Sequence, residues 1–156
     1  MNFRCRVHGY PVPQGRPKAF IPKGWTRPTV YDPATSRDWK RTVNSQVLDA
    51  KPGPPMKGAL TVRLVFVLLR PPSVSEKKRP FPTVKPDAEN LSKAVLDAIK
   101  GVVYLDDAQI VDLRVRKEYG EQPGVEIDVE ELPGGQADGS SPRKQHEHAG
   151  QGALGL

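Results

Sequence analysis

The sequence predicts an α+β fold, a mixed β-sheet of about five strands with two main helices in a single domain. The first observation is alternation, because Leu60, Val62, Leu64, Phe66 and Leu68 recur at every second position, which is the period of a strand. The second is helical spacing in two other segments of the chain. The third is length, since 156 residues suit one domain with a self-sufficient core.

Residues 58–70 give the strongest strand signal, because Val65, Val67 and Leu69 also make the second half apolar on both faces. A strand with this pattern is expected at the centre of a sheet, covered on both sides. Strands are also expected over residues 2–9, 109–119 and 125–132, with short extended pieces at 19–22 and 29–31.

Two segments have the spacing of helices. The first begins at Asp32-Pro33, where aspartate can cap and proline fits the first helical position, and it runs to about Ala50. One face of this helix carries the apolar residues Trp39, Val43 and Val47. The second helix covers residues 88–100, and Gly101 follows at a position where a helix C-terminus favours glycine.

Proline and polar residues mark the irregular segments. Residues 11–17 cannot form a helix, because proline removes backbone donors and constrains its neighbours. Residues 71–86 form a long loop with five prolines and a basic cluster, and such a loop in a small domain is usually functional or mobile. Residues 133–156 are expected to be a disordered tail, which leaves 1–132 as the folded domain.

Composition narrows the classes of partner and compartment. The net charge of +6 and the pI near 9.5 favour a polyanionic partner such as nucleic acid. The single cysteine, Cys5, excludes an internal disulfide framework and a multi-cysteine zinc site. No apolar run reaches the roughly 18 residues of a membrane span, and the N-terminus lacks a signal-peptide pattern, so a cytoplasmic protein is expected.

Residues capable of chemistry concentrate between positions 85 and 107. Asp87 precedes the second helix, Glu89 lies in its first turn, and Lys93 follows four residues later on the same face. Asp106 and Asp107 stand at the entrance to a strand, where side chains can converge on a helix terminus. Carboxylates that meet at one point repel each other unless a cation holds them, and oxygen-only ligation suits Mg²⁺. Such a site can activate water for phosphodiester hydrolysis.

Simpler interpretations of the same residues stay open on spacing alone. Asp87 can be only an N-cap, and Glu89 can favour the helix dipole or form an exposed ion pair with Lys93. Asp106-Asp107 can be ordinary turn residues. The basic loop can be a solvated surface. Spacing by itself therefore does not separate a nuclease from a capped helix that is followed by a turn.

Four motifs follow one another in the chain as PVPQGRP at 11–17, KPDAENLSK at 85–93, LDAI at 96–99 and LDDAQI at 105–110. Together they resemble the RusA family of Holliday junction resolvases, which carries an opening P-x-P-x-x-R-P segment, a D-x-D-N-L-x-K helix start and a D-D-x-Q turn. The resemblance covers most of residues 7–130.

The resemblance implies a small, dimeric, often phage- or prophage-borne endonuclease that uses Mg²⁺, with Mn²⁺ able to substitute. Such an enzyme resolves Holliday junctions by paired symmetric nicks during DNA recombination and repair. The resemblance makes Asp87, Glu89 and Asp107 the metal ligands, Lys93 a contact to the scissile phosphate, and Asp106 a supporting member of the catalytic set. DNA contacts are expected from the following basic residues: Lys85, Lys77, Lys78, Arg79 and Arg16.

Glu89 is a departure from the family pattern, which has a second aspartate at this position. Glutamate keeps the charge and the oxygen ligands but adds a methylene, and an error of about one ångström in position can cost roughly a hundredfold in rate. A catalytically inactive protein that binds branched DNA is therefore the main alternative. A structural protein-interaction domain, in which the acidic turn is merely a turn, is a second alternative.

Overall fold

The computed structural model describes residues 1–16, 18–20, 23–24, 26, 29–31, 34–50 and 52–134. Over these residues it confirms the predicted α+β class. The strands are β1 (Asn2–His8), β2 (Lys18–Phe20), β3 (Thr29–Tyr31), β4 (Leu60–Leu68), β5 (Ile110–Tyr119) and β6 (Gly124–Glu131). The helices are α1 (Ala34–Asp49) and α2 (Ala88–Ile99), and a 3₁₀ turn spans Asp107–Gln109.

Four of the strands form one mixed sheet in the order β1-β6-β4-β5, and β2 pairs with β3 in a separate hairpin. The strand over residues 60–68 is central, as its apolar pattern predicts. It pairs antiparallel with β6 and parallel with β5. Parallel neighbours need a crossover connection, and α2 provides it between β4 and β5. The strand order places β5 at one edge of the sheet.

The core is formed where the two helices pack on the sheet. Trp39, Val43 and Val47 of α1 are buried, which confirms the predicted apolar face of that helix. α2 contributes a second buried face, which belongs to the same core cluster as the alternating residues of β4. The fully buried members of α2 and β4 in this core are Leu91, Val95, Ile99, Leu60, Val62, Leu64 and Phe66.

Charged residues alternate with the core residues along β1 and β6. Arg4 donates a hydrogen bond to Asp128 at 2.7 Å, and Arg6 donates one to Glu126 at 2.8 Å. Exposed pairs of this kind contribute about 0–1 kcal/mol each, and they neutralise each other's charge. The basic excess that would attract a polyanion therefore lies elsewhere on the molecule.

Most predicted boundaries agree with the structure to within two residues. α2 ends at Ile99, and Gly101 adopts a φ of +80°, the left-handed conformation expected after a helix C-terminus. The predicted helix start at Asp32-Pro33 and nearly all of the predicted tail, residues 135–156, lie outside the described residues. Within the described part of the chain, no helix is long and apolar enough to cross a membrane.

Candidate active site

Asp87 occupies the N-cap position of α2 with extended backbone angles, φ −73° and ψ 142°. Its side chain makes no capping hydrogen bond to the helix, and it is exposed. A carboxylate whose role was only to cap would accept a hydrogen bond from the first turn. The simple N-cap interpretation therefore does not account for Asp87.

Glu89 and Lys93 form the ion pair that their spacing allows, with 2.9 Å between the carboxylate oxygen Oε1 and the ammonium nitrogen Nζ. Both side chains are largely exposed. The hydrogen bond and charge of Lys93 hold the pKa of the Glu89 carboxyl below its usual value. The structure therefore brings these two candidate residues together at the start of α2.

The acidic turn is fixed by hydrogen bonds at both ends of the Gln109 side chain. Its amide oxygen accepts from the backbone N–H groups of Leu105 at 2.9 Å and Asp106 at 2.8 Å. Its amide nitrogen donates to the carbonyls of Met56 at 2.9 Å and Gly58 at 3.0 Å. The glutamine of the D-D-x-Q motif is thus the residue that ties the turn to the start of β4.

Asp106 and Asp107 have different roles in this turn. The carboxylate of Asp106 accepts a hydrogen bond from the backbone N–H of Ala108 at 3.0 Å and completes a capping box with Gln109. Asp107 accepts from the hydroxyl of Tyr104 at 2.8 Å, and its other oxygen lies 3.5 Å from the ammonium group of Lys100. The Asp106 carboxylate therefore holds the turn, and its supporting role in catalysis stays a prediction. Asp107 remains half-exposed and is oriented by its neighbours.

Tyr104 is fully buried beneath Asp107. Burial, together with the hydrogen bond to Asp107 and the charge of that carboxylate, raises the pKa of the Tyr104 hydroxyl well above its ordinary value. The hydroxyl therefore stays protonated and remains a donor to Asp107. It also lies 3.3 Å from the carbonyl of Leu96, which places Asp107 beside the last turn of α2.

The two halves of the motif lie at opposite ends of α2. Lys117, near the end of β5, donates hydrogen bonds to the carbonyls of Val84 at 3.0 Å and Pro86 at 2.9 Å, so Asp87 lies beside that end of the strand. Asp107 directly precedes the beginning of the same strand. From Ile110 to Lys117 the strand advances by seven residues, or about 23 Å. The twelve residues of α2 span about 18 Å, so the two acidic motifs are separated by roughly the length of this helix.

The acidic turn therefore converges on the C-terminal end of α2 and not on the end that carries Asp87 and Glu89. Within the described residues there is no group of three His, Cys, Asp or Glu side chains that could hold a metal ion. A single chain, in this conformation, does not fit one Mg²⁺ between Asp87, Glu89 and Asp107. Their assignment as ligands stays a prediction, and one chain alone does not satisfy it.

Of the predicted DNA-binding residues, Lys85 and Arg16 lie near the end of α2 that carries Asp87. Lys85 lines a groove of about 720 Å³ together with Asp87. Lys77 and Lys78 are exposed in the loop that leads to this groove, and Arg79 is half-buried there. Arg16 is exposed two residues after Gln14, whose backbone N–H donates to the carbonyl of Asn90 at 2.8 Å.

Four residues of this region were not singled out by the sequence prediction: Tyr104, Lys117, Arg116 and Phe81. Lys117 had a detectable signal, because it interrupts the apolar alternation of Leu113, Val115 and Tyr119 on one face of β5. A lysine at such a position needs a partner, and it finds two loop carbonyls. The hydrogen bond of Tyr104 had no local signal, since it depends on the packing of the turn against α2.

Comparison with known proteins gives two findings. The sequence profile of the family described as "Endodeoxyribonuclease RusA" matches residues 8–130 of this chain. The chain is also 36% identical over 135 residues to a protein of Bacillus subtilis (strain 168) described as "Uncharacterized protein YqaN". That match covers 81% of this chain and 94% of the Bacillus protein. The family match spans the loop, both acidic motifs, β4, β5 and all of β6 except Glu131, whereas β1 lies outside it apart from its last residue, His8.

Proposed function

Because the chain belongs to the RusA family of endodeoxyribonucleases, we propose that it is a Mg²⁺-dependent enzyme that resolves Holliday junctions by paired symmetric nicks. The observation that carries the proposal is the exposed Asp87, which makes no capping hydrogen bond and lies on the wall of a groove lined by Lys85, Arg116 and Lys117. Phosphates attracted to these cations are held beside a carboxylate, as hydrolysis of a phosphodiester requires.

The separation of the acidic residues favours a site that two chains share. In a twofold dimer, opposite ends of α2 can meet, so that Asp87 and Glu89 of one chain face the partner's Asp107. Mg²⁺ bound there would supply a positive charge that stabilises the phosphoryl oxygens during hydrolysis. The same symmetry creates two equivalent sites, which matches two nicks in strands of like polarity.

An exposed apolar strip supports this dimer. Leu105, Val111 and Leu113 are 50%, 64% and 44% exposed, and they lie on or just before the edge strand β5. Exposed apolar residues that lie close together along one edge commonly mark an interface between proteins. A twofold axis through the middle of this edge would cover the strip and bring the beginning of β5 in one chain to the end of β5 in the other.

The chain's own residues have distinct roles in this proposal. Lys93 contacts the scissile phosphate, and its pairing with Glu89 keeps its ammonium group at the start of α2. Lys85, Arg16 and the loop residues Lys77, Lys78 and Arg79 bind the DNA backbone and fix its register. Tyr104 and Gln109 hold the acidic turn in place. We also propose that the protein acts in the cytoplasm of a bacterial or phage-infected cell.

Cleavage of a synthetic mobile four-way junction, with product ends mapped, tests the proposal. The wild-type chain is expected to nick in Mg²⁺ or Mn²⁺, whereas Asp87→Asn and Asp107→Asn bind the junction without nicking it. Asp38→Asn is a matched control, because it removes an exposed carboxylate of α1 that pairs with Arg41 and lies outside both the proposed site and the β5 edge. Wild-type cleavage by Asp107→Asn would contradict the assignment.

A second candidate function is a protein that binds branched DNA without cutting it. The observation in its favour is that Glu89 and Asp107 each face a lysine of their own chain. Such a protein would shift junction DNA on a gel but would not nick it at any Mg²⁺ or Mn²⁺ concentration. A single nicking product that depends on Asp87 rejects this alternative.

A further inference from the structure

The groove beside Asp87 has a feature that phosphate binding does not use. Its wall carries an aromatic and a branched apolar side chain in addition to the cations. Phe81 is 54% exposed and Val84 is 44% exposed. We call this depression of about 720 Å³ the Phe81 groove, and it is formed by Phe81, Val84, Lys85, Asp87, Arg116 and Lys117.

Phe81 is held in its exposed position from both sides. On one side, the guanidinium group of Arg70 donates a hydrogen bond to the carbonyl of Arg79 and lies 4.3 Å from the ring centroid of Tyr119. On the other side, Lys117 donates to the carbonyls of Val84 and Pro86. The loop is therefore anchored both before and after Phe81, and these contacts favour the exposed position of its ring.

The residues next to Phe81 limit its freedom further. Pro80 and Pro82 flank it in the chain, and proline fixes the backbone angle φ. Pro82 is buried, so it attaches the loop to the body of the domain. The ring cannot withdraw into the core without moving this attachment. Exposure of this large apolar side chain to water is unfavourable in free energy. An occupant of the groove that covers the ring would offset this cost.

Aromatic rings beside cations form the usual binding surface for single-stranded nucleic acid, because bases stack on the rings while phosphates meet the cations. A second depression of about 240 Å³ shares Val84 and Lys85 with the Phe81 groove. It is bounded by Tyr10, which is 68% exposed. The apolar surface of the Phe81 groove therefore continues past Val84 and Lys85 to a second exposed ring, that of Tyr10.

We propose that the Phe81 groove receives one unstacked nucleobase of the bound DNA, stacked on the Phe81 ring, with neighbouring phosphates on Lys85 and Arg116. The inference rests on the proposed function, and it specifies which part of a branched substrate lies next to Asp87. A base at a branch point is the one expected there, because a base that already lacks a stacked or paired neighbour costs least to unstack. Selectivity for branched over continuous duplex DNA follows from that difference.

Binding of the full chain to a four-way junction in metal-free buffer is the first test. Phe81→Ala is expected to weaken binding roughly five- to 150-fold, the range that removal of one base-stacking ring produces, whereas Phe81→Trp keeps it. Leu48→Ala is the matched control, because Leu48 is 52% exposed on α1 and does not line the groove. Unchanged binding by Phe81→Ala overturns the proposal.

The second test couples the ring to one base. Junctions with a single abasic nucleotide at successive positions around the branch are bound to the wild-type chain and to Phe81→Ala. If the ring stacks on a particular base, removal of that base weakens wild-type binding but leaves Phe81→Ala unaffected, since the two losses are one interaction. If the loss of binding from the abasic nucleotide and the loss from Phe81→Ala are additive at every position, the proposal is overturned.

Three further outcomes distinguish this inference from the proposed function and from a protein interface at the same groove. If the wild-type chain nicks junctions in Mg²⁺ while the abasic losses are additive, the inference fails and the proposed function stands. If the wild-type chain neither binds nor nicks any branched DNA, the proposed function fails and the inference fails with it. If Phe81→Ala makes a dimeric protein monomeric in sedimentation experiments, the groove is occupied by a second copy, and the inference is overturned.

Discussion

The hydrogen bonds of Gln109 explain why the D-D-x-Q motif contains a glutamine. One side chain makes four hydrogen bonds, two to the acidic turn and two to the segment that leads into β4. A glutamate could accept the first pair but could not donate the second, and an asparagine is shorter by one methylene. The turn that presents Asp107 therefore depends on the identity of a residue that need not touch substrate.

We predict that Gln109→Ala lowers the free energy of unfolding by about 2–4 kcal/mol, because four hydrogen bonds are lost and some of the partners are half-buried. Chemical denaturation measures this change. Gln122→Ala is the control, since Gln122 is exposed and only its backbone carbonyl accepts a hydrogen bond, so the free energy of unfolding should change by less than about 0.5 kcal/mol. Equal effects of the two substitutions would contradict the role given to Gln109.

The pKa of Glu89 tests the pairing at the start of α2. Its folded-state pKa lies below the ordinary value of 4.5, so the pair stabilises the fold above that value and the contribution is lost as pH falls through the folded-state pKa. In metal-free buffer, Lys93→Met is expected to raise the pKa of Glu89 toward 4.5 in an NMR titration. Lys100→Met, which removes the neighbour of Asp107 instead, should leave the Glu89 titration unchanged.

The anchored loop between β4 and α2 is the main feature at the scale of elements. Sequence reasoning predicted its length, its prolines and its basic cluster, because these are local properties. It did not predict that Arg70 and Lys117 would hold the loop at two points, since both anchors come from residues on or next to strands. Contacts between distant segments follow from packing, and a single sequence contains no direct signal for them.

We predict that Lys117→Met increases hydrogen exchange of backbone amides in residues 81–88 by at least roughly tenfold. The substitution removes two charge-assisted hydrogen bonds to the carbonyls of Val84 and Pro86, each worth about 1.5–3 kcal/mol, while the methionine stem still packs on the sheet. Exchange mass spectrometry of that segment measures the effect. Arg114→Met, which removes an exposed arginine of β5 that does not line the groove, should leave exchange near the wild-type rate, and equal rates in the two variants would contradict the anchoring.

The distance in space between the two acidic motifs could not be predicted from the sequence. The strands, both helices and the glycine after α2 were predicted correctly, because alternation, helical spacing and φ preferences are local. The sequence prediction also selected Asp87, Glu89 and Asp107. It did not establish that α2, a rod of about 18 Å, separates the first two from the third. Motifs that follow each other closely in a chain can be far apart in the fold.

For the molecule as a whole, this separation favours an active site that two chains share. One chain brings together Asp87, Glu89 and Lys93 at one end of α2 and fixes Asp107 at the other. Between these ends lies an edge strand with exposed apolar residues. We propose that a twofold dimer through this edge completes two sites, each with carboxylates from both chains.

Active-site complementation tests this claim most directly. Asp87→Asn and Asp107→Asn chains are each expected to be inactive, but in a mixture about half of the dimers contain both variants, and each of these has one intact site. Junction nicking in an equimolar mixture should therefore return to about a quarter of the wild-type level. A shared site is ruled out if native mass spectrometry detects the mixed dimer and the mixture nicks no more DNA than either variant alone.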